Sequence, residues 1–218
     1  MDPYIFGFFA IMYVIIFIWG LQKHKKTASA IIFFVVVALI YDNGVLAIGH
    51  LIGEGTLLKN LNISRYWVHA FLTPTLILFS FFVLKEAGIK FVQKTWVKAT
   101  FIALTVVAIV VEYFVELQKL KVALQRDYGV LSYASTAEAN GPPPMILIVI
   151  VVLVIAAIIL VKQTKWWWML IGTIVMTIGS AIPFNIDSNA ITNAFELFLL
   201  FTLMKTAIHF SNTKKLLK

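Results

Sequence analysis

The sequence predicts an all-α integral membrane protein, a bundle of about seven transmembrane helices with the N-terminus outside and the C-terminus cytoplasmic. Three observations carry that expectation. The 218 residues are 61% hydrophobic and only 13% charged, with a mean hydropathy of +0.94. A soluble domain carries nearer a quarter charged residues, so this chain has too little polar surface to cover a globule in water. Apolar windows then recur at the length of about 20 residues that a helix needs to cross a hydrocarbon core of about 30 Å. Finally, lysine and arginine collect in alternate connections, as the positive-inside rule requires.

The windows are Tyr4–Leu21, Ala28–Ile52, Tyr66–Leu84, Ala99–Leu117, Met145–Val161, Trp166–Phe184 and Ala190–Ile208. Barrel strands would be shorter and would alternate in polarity. Asp2, rather than a basic stretch, precedes the first window, and no small-residue cleavage site follows it, so that window is expected to be retained. The cytoplasmic side receives Lys23, Lys25, Lys26, Lys85, Lys90, Lys94, Lys98, Lys162, Lys165, Lys205, Lys214, Lys215 and Lys218. The other side holds Lys59, Arg65, Lys119, Lys121 and Arg126, so every connection points the same way. The net charge of +8 is thereby assigned to a membrane surface and not to nucleic acid. Residues 1–218 are read as one polytopic domain, multi-pass in the cell membrane.

The one long connection spans about 118–144 on the outer side. Leu120 and Leu124 continue a helical spacing there, so the fourth helix is expected to project, followed by an irregular connector ending in Gly141-Pro142-Pro143-Pro144. Tyr4, Trp19, Trp67, Trp96 and Trp166-Trp167-Trp168 fall near span ends, where amphipathic rings favour the headgroup region. Pro74 is expected to kink the third span by removing a backbone donor. Gly49, Gly53 and Gly55 read as close packing or a turn. Met145–Val161, entirely apolar, is expected to lie against lipid. Asn62-Ile63-Ser64 is a glycosylation sequon that matters only in a eukaryotic secretory route.

Function is sought among the intramembrane polar residues, which this topology places at one depth. Asn43, His50 and Glu54 share a helical face with Asp42 at its edge; Arg65, His69 and Thr73 form an i, i+4, i+8 row. Glu112 and Glu116 are one turn apart, and Asn189, Asn193 and Glu196 make a further stripe. Thr173, Thr177 and Ser180 line the sixth span, which ends near Pro183, Asn185 and Asp187. Single-faced stripes on several helices are what one shared cavity would produce. A carboxylate at helix centre costs roughly 2.5–3.5 kcal/mol on insertion scales, so Asp42, Glu112 and Glu196 together cost roughly 8–10 kcal/mol before compensation. That is comparable to the whole stability of many domains and makes a functional role the default reading.

The absence of cysteine excludes disulfides and thiolate chemistry. The sequence holds no HExxH, no paired-histidine HxxxH, no Walker loop, no GxSxG elbow and no DDxxD. A zinc site of His50, His69 and a carboxylate is chemically possible, giving a zinc-dependent lipid hydrolase as one alternative. Acid–base chemistry without metal is more economical, because several carboxylates around one low-dielectric cavity cannot all ionise together. A protonated carboxyl would donate to an apolar substrate while an ionised partner steadies the cation that forms. Small membrane-embedded terpene cyclases use this logic; the similarity is one of chemistry, with no motif of theirs matched here. The expectation is therefore a metal-independent lyase, isomerase, cyclase or other lipid-modifying enzyme, without a cofactor, on a lipid or isoprenoid-like substrate. Asp42, Glu112, Glu196 and His69 are the catalytic candidates. Asn43, His50, Arg65, Thr73, Glu116 and Asn193 are the substrate-binding candidates. A proton-coupled transporter, or a receptor or binding protein, is the competing class. The expected partners are the bilayer and a lipid-soluble small molecule.

Overall fold

A computed structural model describes residues 1–25, 27–137, 143–182, 188 and 190–213. Lys26, Gly141, Pro142, Pro183, Phe184, Asn185, Asp187, Asn189, Lys214, Lys215 and Lys218, which entered the sequence reading, lie outside the described residues. The helices are α1 (Asp2–Lys23), α2 (Ile32–Ile52), α3 (Thr56–Leu72), α4 (Thr75–Glu86), α5 (Thr95–Val115), α6 (Pro144–Thr164), α7 (Trp168–Ala181) and α8 (Ile191–Thr213). A hairpin of β1 (Val122–Asp127) and β2 (Val130–Ser135) joins α5 to α6.

Among the described residues, six helical segments are long and apolar enough to cross a membrane, and α3 with α4 counts as one of them, Thr56–Glu86. The bend in that segment sits at Thr73-Pro74. Pro74 has no N–H to offer Ala70, and α4 restarts with Leu76 N–H donating to the Thr73 carbonyl (3.0 Å) and Ile77 N–H to the Pro74 carbonyl (3.0 Å). Half of the most apolar stretch of this segment is buried, against 22% for the segment containing α5, so α4 is the axis of the bundle. Phe79, Ile77, Val83 and Leu84 on α4 are sealed from solvent, packed among α2, α5, α6 and α8.

The expected sixth span is shorter than the sequence suggests. Helix α7 has 14 residues, about 21 Å at 1.5 Å per residue, and ends where Ile182 turns extended (φ −88°, ψ 121°). Ile182 precedes a proline in the sequence, and that neighbour disfavours the helical region. The expectation that Met145–Val161 merely faces lipid is also corrected. Met145, Val149, Leu153, Ala156, Ala157 and Leu160 form a buried stripe on α6 that packs toward α4, α5 and α7. Only the opposite face, with Leu147, Val151 and Ile155, is exposed.

The largest departure is the connection after α5. The leucine spacing there suits a helix, but α5 stops at Val115 and the chain forms an antiparallel hairpin with Asp127 opposite Val130. Its turn residues Tyr128 (φ 51°) and Gly129 (φ 91°) both adopt the left-handed region, as a two-residue hairpin loop with the right twist demands. The hairpin lies on the end of α2. A side-chain carbon at Gly49 would sit 2.1 Å from the Leu131 carbonyl oxygen, so strand backbone rests directly on helix backbone there. Val45, Leu58 and Leu131 form a small apolar cluster under it, and the Ser135 N–H donates to the Tyr66 hydroxyl (2.7 Å).

Candidate functional site

The site is built from side chains that α2, α3, α5 and α8 present to one another beneath the hairpin. On α2, Asn43 is wholly buried; its Nδ2 donates to the Leu39 carbonyl (3.0 Å) and its Oδ1 accepts from Asn193 Nδ2 on α8 (3.1 Å). The neighbouring Asp42 accepts from Arg65 Nε on α3 (2.8 Å). That pair is only partly open, with side-chain exposures of 18% and 21% for Arg65 and Asp42. Arg65 is held a second time, Nη1 donating to Asn62 Oδ1 (2.9 Å), while Asn62 Nδ2 donates to the Leu58 carbonyl (2.8 Å). Asn62 is therefore buried and fully engaged, which removes the sequon as a glycosylation site in the folded protein. One turn along α3, His69 Nδ1 lies 3.2 Å from Thr73 Oγ1.

These groups border a cavity of about 460 Å³ lined by Asp42, Arg65, Tyr66, His69, Glu112, Glu116, Asn193 and Glu196. Leu39, Leu117, Ile146 and Met176 supply apolar wall. The volume falls within the range of small-molecule pockets, about 300–1,000 Å³. A second cavity, about 250 Å³, lies on the hairpin side and shares Asp42, Arg65, Tyr66 and Asn193 as its wall, with Gln125, Asp127 and Ser132 opposite. Those four residues stand between a hairpin-side space and the main cavity.

Within the main cavity the charges are unequal. Among the described residues Arg65 is its one lysine or arginine, and Asp42 already pairs with it. Among the described residues none of Glu112, Glu116 and Glu196 takes part in an ion pair. Glu112 is 6% exposed, and its Oε2 is buried with no hydrogen-bond partner among the described residues. Native structures rarely leave such an atom unmatched. The Tyr13 hydroxyl on α1, a helix without a polar stripe in the sequence, is likewise buried and unmatched.

The structure thus brings Asp42, Arg65, His69, Glu112, Glu116, Asn193 and Glu196 to one cavity, with Asn43 and Thr73 a hydrogen bond behind Asn193 and His69. His50 does not join them, a correction to the sequence reading. It is exposed and borders a separate cavity of about 310 Å³ with Glu54, Arg126 and Gly129. The helical face shared by Asn43 and His50 is real, but the hairpin covers its far end, and Arg126 pairs with Glu54 there. His50 and His69 hence line different cavities. Among the described residues, no three His, Asp or Glu side chains are grouped to hold a metal.

Sequence reasoning missed two features. Tyr66 borders both cavities and holds the hairpin; its position one residue after Arg65 was the only signal. At the lysine-rich end, Glu86 on α4 is buried, away from the depth at which the sequence reading places the other intramembrane polar residues. Its Oε1 accepts from the Ser29 N–H (3.0 Å) and its Oε2 from the Ser29 hydroxyl (2.7 Å). With that proton committed, Ser29 Oγ is an acceptor for His24 Nε2 at 2.8 Å. Burial pushes His24 below its usual pKa, opposed in part by the Glu86 carboxylate. No family model, curated protein or solved structure matches the chain, so function has to be argued from this geometry.

Proposed function

We propose that the protein is a membrane-embedded enzyme that acts on a lipid or isoprenoid-like substrate by carboxylate acid–base chemistry in this cavity. The observation that carries the reading is Glu112, which lines the cavity and has one carboxyl oxygen, Oε2, buried with no hydrogen-bond partner among the described residues. A carboxyl kept from water and from counter-ions is placed to give a proton to an apolar group or take one from it. Asp42 was an equal candidate by sequence; its bond to Arg65 makes it a fixed anion of the wall instead. In this reading Glu112 protonates a substrate double bond, Glu196 steadies the resulting cation, a neighbouring carbon releases a proton to Glu116, and proton exchange with water through Glu116 restores Glu112 for the next turnover. Protons and electrons balance, and the net change is an isomerisation or cyclisation. His69, held by Thr73, and Asn193, held by Asn43, orient the substrate. The cell membrane is the proposed location, with the hairpin end outward.

The test is proton delivery itself. Purified protein would be incubated in D₂O with the neutral-lipid extract of its host membranes, and the lipids analysed by mass spectrometry. The expected result is a lipid-soluble product bearing carbon-bound deuterium, reduced by about 10²–10⁴-fold in Glu112→Gln and also lowered in Glu196→Gln. Deuterium incorporation that Glu112→Gln leaves intact, or no incorporation with the wild type, sinks the acid–base reading. Proton-coupled transport has one observation in its favour, the second buried acid Glu86 at the opposite end. Against it, the buried hydroxyls of Ser80, Thr105 and Thr202 each donate to backbone of their own helix and not to one another.

A further inference from the structure

The charge balance of the main cavity narrows its ligand further than the reaction does. A phosphate- or carboxylate-headed lipid needs uncompensated cations, and among the described residues the one guanidinium in the wall is neutralised by Asp42, with Nε bonded to Asp42 and Nη1 to Asn62. Any anion entering would meet Glu112, Glu116 and Glu196 without compensation. A solvated acidic rim would show the same residues, but not a carboxylate oxygen that is both sealed from water and unmatched, as in Glu112. Glu112 also lines the space, so a donor or positive charge bound beside its carboxyl group would offset a buried group that the described residues leave unmatched.

We infer that the cavity binds a lipid-soluble cation of the quaternary-ammonium or protonated-amine class. Its charged centre lies against Glu112 and Glu196, and its apolar part against Leu39, Ile146 and Met176. The inference rests on the reading above, in which Glu196 steadies a cation formed on the substrate and Glu112, having given its proton, faces that cation as a carboxylate; a permanent cation takes the same place. The same argument disfavours substrates carrying phosphate or diphosphate.

The probes are dodecyltrimethylammonium, dodecanol and dodecyl phosphate, offered to the full chain in uncharged maltoside detergent. Binding is followed by native mass spectrometry and by the shift in unfolding temperature. Dodecyltrimethylammonium is expected to occupy one site, weakened about tenfold, or about 1.4 kcal/mol, in Glu112→Gln and in Glu196→Gln. Glu54→Gln, outside the cavity, should bind it as the wild type does, and dodecyl phosphate should show no saturable site. Equal binding of dodecyl phosphate overturns the inference, as does ammonium binding that survives both cavity substitutions in variants that still unfold cooperatively. Ammonium binding by a protein that transfers no deuterium to any lipid would sink the acid–base reading and leave this inference standing. Deuterium transfer without ammonium binding would do the reverse.

Discussion

Glu86 and Glu112 are the same residue type, buried to within a percentage point of each other at 7% and 6% exposure, at opposite ends of the bundle. They differ in what they touch. Both Glu86 oxygens are bonded to Ser29, which lies within the turn Ala28–Ile31 leading into α2. Glu112 borders a cavity with Oε2 unmatched. Burial alone therefore says little about a carboxylate in an apolar bundle. Satisfaction separates a group that holds the fold together from one that the fold holds ready.

The sharpest way to break this comparison is to truncate both. Glu86→Ala leaves the Ser29 N–H and hydroxyl without their acceptors, each a loss of about 1–3 kcal/mol when buried, so a total near 3 kcal/mol is expected. Glu112→Ala removes a costly group from the edge of an existing cavity and should change stability by less than about 1 kcal/mol in either direction. Thermal or denaturant unfolding in detergent reads both, and equal losses would erase the distinction drawn here. Glu86→Gln should fall between, because Ser29 Oγ can turn to accept from the amide.

A smaller effect concerns the cover over the site. Gly49→Ala places a carbon against the Leu131 carbonyl and must push the hairpin off α2. Overpacking of this kind typically costs about 1–3 kcal/mol. Hydrogen exchange should then rise at Leu131 and Ser135 and leave α4 unchanged. Uniform exchange across the molecule would mean that the hairpin is not a separable cover.

The smallest effect is the pH dependence of the lysine-rich end. His24 has a folded pKa below its unfolded value of about 6.5. The unfolded chain therefore binds its proton first, and stability falls as the pH drops below that value, until the folded His24 also titrates. Glu86, the acid facing it, opposes the shift. Unfolding midpoints between about pH 7 and 5 should decline less steeply in His24→Gln and more steeply in Glu86→Gln. An unchanged slope in His24→Gln would show that other groups set it.

The parts legible in the sequence and the parts hidden from it divide along the range of the forces involved. Helix positions could be read because span length and apolar content are properties of contiguous residues; the bend at Pro74 is a local backbone fact of the same kind. The rows Arg65–His69–Thr73 and Glu112–Glu116 were readable for the same reason, since helical periodicity alone places them on faces. Which faces meet was not readable. Asn43 and His50 share one face of α2, yet Asn43 bonds Asn193 on α8 while His50 lies outside beside Arg126. That choice depends on how far along α2 the hairpin reaches. The hairpin itself was illegible, because two short strands gain their stability from the Gly49 platform and the Tyr66 hydroxyl, both remote in sequence. By itself the sequence determined an apolar, helical chain with charged residues in rows along its helices. Tertiary packing alone decided that Arg65 neutralises Asp42, that Ser29 satisfies Glu86, and that Glu112 keeps an oxygen unmatched. Pairing between helices is set by rotation and approach in space, which no local pattern encodes.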